Sequence, residues 1–255
     1  MPAQKTSTAK SARRKPAAKS AQPKTVPRGG ECSRVFLLSP ANLGGIRAQM
    51  MLSARAQFAL ARQLQSGVGA PLGEIFSFVS GLYFRGKLAY ARRFARPPDP
   101  SEPVAAGGVL VITSNAGLRA VDTPVTMESF RAFAVGEIDL RNTAYRAPLE
   151  QSAKALREAI GPDCEVVLLG SVASGKYVDL LLPIFGERLM FPPDFVGRGD
   201  MSRGGLMLRC VDAGFELPYV PLSGAVRHGR RPPRLEPRRT RSTFDTTKGT
   251  KITKQ

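Results

Sequence analysis

The chain has 255 residues, 42% of them hydrophobic, a composition that builds a globular core rather than a disordered chain. Its 38 Lys and Arg outnumber 20 Asp and Glu, but the excess sits at the ends: residues 1–30 carry 8 basic and no acidic side chains, residues 227–255 carry 10 and 2, and residues 31–226 carry 20 and 18. No stretch approaches the roughly 18 apolar residues of a membrane span, and no apolar run follows the N-terminal charges, so the expectation is a soluble, cytoplasmic protein without membrane contact.

Taken in chain order, residues 1–30 are built from Ala, Lys, Ser, Pro and Thr and cannot bury enough apolar area to offset their chain entropy, which predicts a disordered basic tail. Val35 to Leu38 reads as a buried strand, Ser39 to Gly45 as its turn, and a helix is predicted from Gly45 or Ile46. Ile75, Val79, Leu82, Tyr90 and Phe94 recur at helical spacing, predicting one long helix or two abutting ones over 73–95, with Gly81 as a kink. A Pro-rich loop over 96–107 leads into a second strand, Gly108 to Thr113, and a short helix follows Thr126. Pro148 marks the first turn of a clearer helix that stops at Gly161-Pro162. Glu165 to Leu169 is the third strand, and Tyr177 to Phe185 a short helix interrupted or ended by Pro183. Arg188 to Phe191 is a weaker fourth strand, Asp200 caps a helix that ends at Gly214, and Glu216 to Val220 makes a fifth strand. Residues 227–255 form a second disordered basic tail.

Apolar strands alternating with helices predict a three-layer α/β fold over residues 31–226, with a mostly parallel sheet of about five strands and helices on both faces, because parallel neighbours need crossover connections. Ligands of such sheets bind outside the carboxyl ends of the strands. That directs attention to the loops Ser39 to Gly45, Thr113 to Leu118, Gly170 to Lys176 and Asp194 to Arg203.

Cys32, Cys164 and Cys210 are isolated and odd in number, which gives neither a zinc site nor a disulfide framework. The single histidine, His228, lies in a basic, Pro-rich segment, so core acid or base chemistry falls to Asp, Glu, Lys or Tyr. No metal and no cofactor is expected. Gly170-Ser171-Val172-Ala173-Ser174-Gly175-Lys176-Tyr177 imitates a phosphate-binding P-loop, but Tyr177 stands where Mg²⁺ coordination needs Ser or Thr, so a divergent P-loop phosphotransferase is kept only as an alternative. In the first loop Ser39, Asn42, Gly44, Gly45 and Arg47 suit an anion or a base edge at a helix start. Val196 to Gly205 is the densest polar cluster of the core: Arg198 and Arg203 suit a phosphate or carboxylate, and Asp200 is the candidate acid or base. Ser114 and Asn115 offer polar groups to a base. Tyr83 and Arg85, in an otherwise apolar helical stripe, suit a planar anionic ligand.

The stretches Val35 to Pro40, Tyr83-Phe84-Arg85 through Leu88 to Ala91, Ile112 to Leu118, Tyr145, Val166 to Gly170 and the Arg198 to Arg203 loop together resemble a group of bacterial and phage α/β proteins akin to the glycosylase-like domain attached to some tRNA-guanine transglycosylase relatives. The resemblance implies a role around modified nucleobases or nucleotides. The expected function is a nucleotide-, nucleobase- or nucleic-acid-associated α/β protein, with glycosidic-bond or base-exchange chemistry as its activity. A second reading is a non-catalytic nucleic-acid-binding module. In both, the Lys/Arg-rich tails make sequence-independent phosphate contacts; in the first the core takes a small anionic or nucleoside ligand, and in the second it acts as an interaction scaffold without turnover.

Overall fold

The computed structural model describes residues 32–236. Of the expected tails, residues 1–30 and 237–255 lie outside the described residues, whereas 227–236 lie within them. Along the chain, β1 (Arg34–Leu38) is followed by α1 (Ile46–Leu52), α2 (Ala59–Gln65), β2 (Ala70–Pro71), α3 (Leu72–Ser80) and α4 (Leu82–Phe94). Next come β3 (Val109–Ile112), β4 (Leu118–Ala120), β5 (Pro124–Val125), α5 (Met127–Val135) and α6 (Thr143–Ala159). The chain then forms β6 (Glu165–Leu169), α7 (Gly175–Phe185), β7 (Leu189–Phe191), α8 (Asp200–Ala213) and β8 (Val220–Pro221).

The main sheet has the order β4-β3-β1-β6-β7-β8. Its four central strands are parallel, with Leu37 beside Leu110 on one side and Leu168 on the other. The edge strands β4 and β8 run antiparallel, and β2 and β5 form a separate two-stranded ribbon. Period-two alternation divides the apolar side chains between two cores. Phe36, Leu38, Val111, Val167 and Leu169 meet α1 to α5 and α8, while Val35, Leu37, Ile112, Val166 and Leu168 meet α6 and α7. This is the expected three-layer α/β fold, with six strands in the main sheet instead of about five. The strand that sequence patterning omits is β4, whose three residues carry too little apolar alternation to register.

Local signals explain some of the helix boundaries. The kink expected at Gly81 is a full break: its φ of 63° lies in the left-handed region that suits glycine, and α3 and α4 meet there. Two proline expectations need correcting. α6 begins at Thr143, where the Asn142 side chain accepts the N–H of Ala144 at 3.0 Å, so Pro148 lies inside the helix. Pro183 neither interrupts nor ends α7, because Leu181, Ile184 and Phe185 around it are buried and tertiary packing outweighs one missing backbone hydrogen bond. Asp200 is the first helical residue of α8, not its cap; Gly199 holds the cap position without a side-chain bond. The predicted fifth strand shrinks to Val220–Pro221.

One helix contact fixes the position of the site. A Cβ on Gly86 would lie 2.7 Å from the carbonyl oxygen of Gly204, and one on Gly204 would lie 2.7 Å from that of Leu82. The two glycines let the backbones of α4 and α8 touch, which sets the first turn of α8 against the side chains that α4 sends toward the end of β1.

Candidate functional site

The chain leaves β1 for β3 on one side and later crosses to β6 on the other. The carboxyl ends of β1 and β6 therefore flank a topological switch point, the place where open α/β sheets form a ligand crevice because the connections diverge. Ser39 follows β1 and is buried. Gly170 follows β6, and a Cβ there would lie 2.9 Å from the Ser39 Cβ, so a larger residue would crowd this end of the crevice.

Lys87 comes up from α4 and is 0% exposed. Its ammonium nitrogen donates to the carbonyl oxygen of Ser39 and, at 2.9 Å, to the Ser39 hydroxyl. It also lies 4.5 Å from the ring centre of Tyr83 and 4.8 Å from that of Phe84. No carboxylate within ion-pair distance of Lys87 is found among the described residues. Burial drives its pKa down to about 7; the charge of Asp200 opposes this shift and that of Arg203 adds to it.

Tyr83 stands one turn before Lys87 on the same face of α4. Its hydroxyl is buried without a hydrogen bond of normal geometry. Burial raises its pKa, with the charge of Asp200 adding to the shift, and the neighbouring Arg203 guanidinium and Ser39 hydroxyl work in the opposite direction. From α8, the Arg203 Nε donates to the Phe195 carbonyl at 3.1 Å. Its Nη1 lies 3.6 Å from the Asp200 carboxylate, whose side chain is 67% exposed. Asp200 thus marks the outer rim, and Arg203, Tyr83 and Lys87 lead inward. Tyr177, in the first turn of α7, is buried in the core on the other face of the sheet: burial raises its pKa, and Tyr145, Tyr83 and Asp200 reinforce the shift. The first-turn N–H groups of α8 add positive potential at the rim, since no side chain caps them.

The structure therefore brings together four of the predicted residues, Ser39, Tyr83, Asp200 and Arg203. The remaining ones are engaged elsewhere along the same edge. The Asn42 carboxamide oxygen accepts the N–H of Gly44 at 2.9 Å, and Gly45 is the N-cap of α1. Arg47 donates to the Phe78 carbonyl near the end of α3 at 3.3 Å. Ser114 donates to the Phe133 carbonyl at 2.9 Å and Asn115 to that of Ala132 at 3.1 Å, so both hold the last turn of α5. Arg198 donates to the Asp194 carbonyl at 2.9 Å and to Ser202 and Pro233, and Arg85 is exposed on α4.

Sequence reasoning missed Lys87 and Tyr177. A signal for Lys87 existed: it is the charged residue in the stripe Tyr83, Phe84, Lys87, Leu88, Tyr90, Ala91 and Phe94, all buried, where an aliphatic residue would be expected. At the P-loop-like segment the carboxylate of Asp179 folds over Gly175, with an oxygen 2.0 Å from where a Cβ would stand. Negative charge at the start of α7 opposes a phosphate there, and Lys176 lies 5.1 Å from the ring centre of Tyr177.

Among the described residues no group of three or more His, Cys, Asp and Glu side chains is arranged to hold a metal ion, and no helix is long and apolar enough to cross a membrane. The chain matches no family model, no curated protein and no solved structure, which leaves the geometry at the switch point as the ground for a functional reading.

Proposed function

We propose that the protein binds a small anionic ligand of the nucleotide or nucleoside class in the crevice between the ends of β1 and β6, with Tyr83, Lys87 and Arg203 facing the anion and Asp200 at the mouth. One observation carries this reading: a fully buried amine with no carboxylate partner stands one helical turn from a buried phenol hydroxyl that makes no well-formed hydrogen bond and has only Arg203 and Ser39 beside it. An unsatisfied buried hydroxyl costs about 1–3 kcal/mol, and a buried unpaired cation costs more. Groups of this kind concentrate at functional sites, where ligand oxygens complete them.

The same crevice is equipped for glycosidic-bond or base-exchange chemistry. As the glycosidic C–N bond breaks, the Asp200 carboxylate would stabilise positive charge developing at the anomeric carbon, Lys87 or Tyr83 would protonate the departing base, and water or an incoming base would bond to that carbon in its place. The resemblance to glycosylase-like proteins supports the same class. The positive excess in residues 1–30 and 227–255 supports a second, compatible association, with nucleic-acid phosphates through the chain ends.

Thermal unfolding with 5′-mononucleotides, nucleosides and 7-deazapurine bases tests the reading. A ligand at about 100 times its Kd stabilises by about 2.7 kcal/mol, or roughly 5–10 °C in a domain of this size. Lys87→Met and Tyr83→Phe should fold and lose that shift. A wild type that responds to none of these compounds overturns the reading, and chromatographic release of free base from a bound nucleotide would establish turnover.

A further inference from the structure

Past β8 the chain turns back and runs as a strap over α8. A Cβ on Gly197 would lie 2.3 Å from the carbonyl oxygen of Arg230, and one on Gly229 would lie 2.9 Å from Val196 Cγ1, so both glycines are needed for this approach. Arg198 donates to the Pro233 carbonyl at 3.4 Å, and the Arg209 guanidinium donates to the carbonyl of Glu236. Pro232 and Pro233 stiffen the strap and remove two backbone donors. Between strap and helix lies a groove of about 350 Å³, whose lining includes Arg198, Arg209, Arg231 and Arg234 against one acidic residue, Glu236. Arg198 and Arg209 hold the strap in place, while the side chains of Arg231 and Arg234 are exposed.

α8 joins this groove to the crevice. Asp200 and Arg203 belong to the crevice, whereas Met201, Ser202 and Gly205 line the groove. Successive helical residues project about 100° apart around a cylinder roughly 10 Å thick, so the groove and the mouth of the crevice are neighbours. Beyond Glu236 the sequence continues with Arg238, Arg239 and Arg241, extending the same charge along the chain.

We propose that the groove between α8 and the strap seats the sugar-phosphate backbone of a single-stranded polynucleotide, so that the nucleotide entering the crevice belongs to a chain instead of being free. The proposal rests on the reading of the crevice given above. Charge complementarity selects the occupant: guanidinium groups on a stiff, extended segment match phosphate oxygens bidentately and in series. A single strand is required because a base paired in a duplex cannot reach a crevice without leaving the stack.

Fluorescence anisotropy of the full chain with a single-stranded oligonucleotide of about 12 residues tests the groove, comparing the wild type with an Arg231→Gln/Arg234→Gln double variant. Loss of two phosphate contacts should flatten the plot of log affinity against log salt by about 1.4 and weaken binding roughly tenfold or more near 0.1 M salt. The mononucleotide thermal shift of the same variant should match that of the wild type. An unchanged salt slope alongside an intact mononucleotide shift overturns the groove proposal. A wild type without any mononucleotide shift overturns the crevice reading instead, so the two failures are distinguishable.

Discussion

The two ends of the central sheet treat a buried cation in opposite ways. At the amino end, Arg34 opens β1 with its side chain 11% exposed, bound to Glu165 at 2.6 Å and Glu216 at 2.7 Å. Its guanidinium also lies 4.6 Å from the ring centre of Tyr219, and Arg96 shares Glu216 at 2.9 Å. Burial alone would lower the Arg34 pKa, but the hydrogen bond to Glu165 and the charge of Glu216 hold it above its ordinary value. At the carboxyl end, Lys87 meets a carbonyl, a hydroxyl and two aromatic rings, and its pKa falls to about 7. Arg34 is matched by carboxylates of its own fold, whereas Lys87 has no counter-charge within ion-pair distance among the described residues. The lesson is to ask where a buried charge is compensated before asking what it does.

The largest expected loss of stability falls at the amino end. Arg34→Met removes one partner of a largely buried network, strands the Glu165 carboxylate and leaves Glu216 to Arg96 and Tyr219, which should destabilise the fold by about 3 kcal/mol in chemical denaturation. A loss below the error of the measurement would mean that solvent already screens this network and that the contrast between the two ends is false.

Lys87→Met should behave differently, and its signature is a pH dependence. The Lys87 pKa is about 7 in the folded chain and near its ordinary value of about 10.4 in the unfolded chain. Between those values the unfolded state holds a proton that the folded state lacks, so stability rises with pH, by at most about 1.4 kcal/mol per unit from this group. Below pH 7 both states are protonated and the full cost of burying the charge remains. The variant, free of that cost, should therefore be more stable than the wild type at pH 7, and the gap should close as pH rises toward 10. A gap that is constant over this range would show that Lys87 keeps its proton throughout, through a counter-charge the geometry does not reveal.

The smallest effect sharpens the comparison by setting a buried tyrosine on one face of the sheet against a buried tyrosine on the other. The Tyr145 hydroxyl donates to the Lys176 carbonyl at 2.9 Å, whereas that of Tyr83 makes no well-formed hydrogen bond, with only Arg203 and Ser39 beside it. Tyr145→Phe should cost about 1 kcal/mol, and Tyr83→Phe should be neutral or stabilising by about the same amount. Equal losses for the two would place a structural partner on the Tyr83 hydroxyl and remove one of the two groups on which the crevice reading stands.

Much of the architecture can be read directly from the chain. The apolar runs at Val35, Val109 and Val166 are short and rich in β-branched or aromatic residues and so read as strands buried on both faces, and the helical spacing between them calls for crossovers, which together give a parallel sheet. Parallel strands in turn place the candidate loops on one edge. What the sequence could not decide was which polar side chains on that edge remain uncommitted. Ser114, Asn115, Arg47 and Arg198 look as suitable as Ser39 and Arg203, yet they are taken up by carbonyls at helix ends and on the strap, and such bonds depend on tertiary approach rather than local spacing. Lys87 was hidden for the converse reason: in a linear pattern a lysine among aromatics reads as a tolerated interruption, and only the Gly86–Gly204 contact, which sets α8 against α4 and shuts water out, makes it a buried amine without a carboxylate. Periodicity reports which face of an element is covered, whereas compensation of charge is settled by whatever the fold brings within a few ångströms.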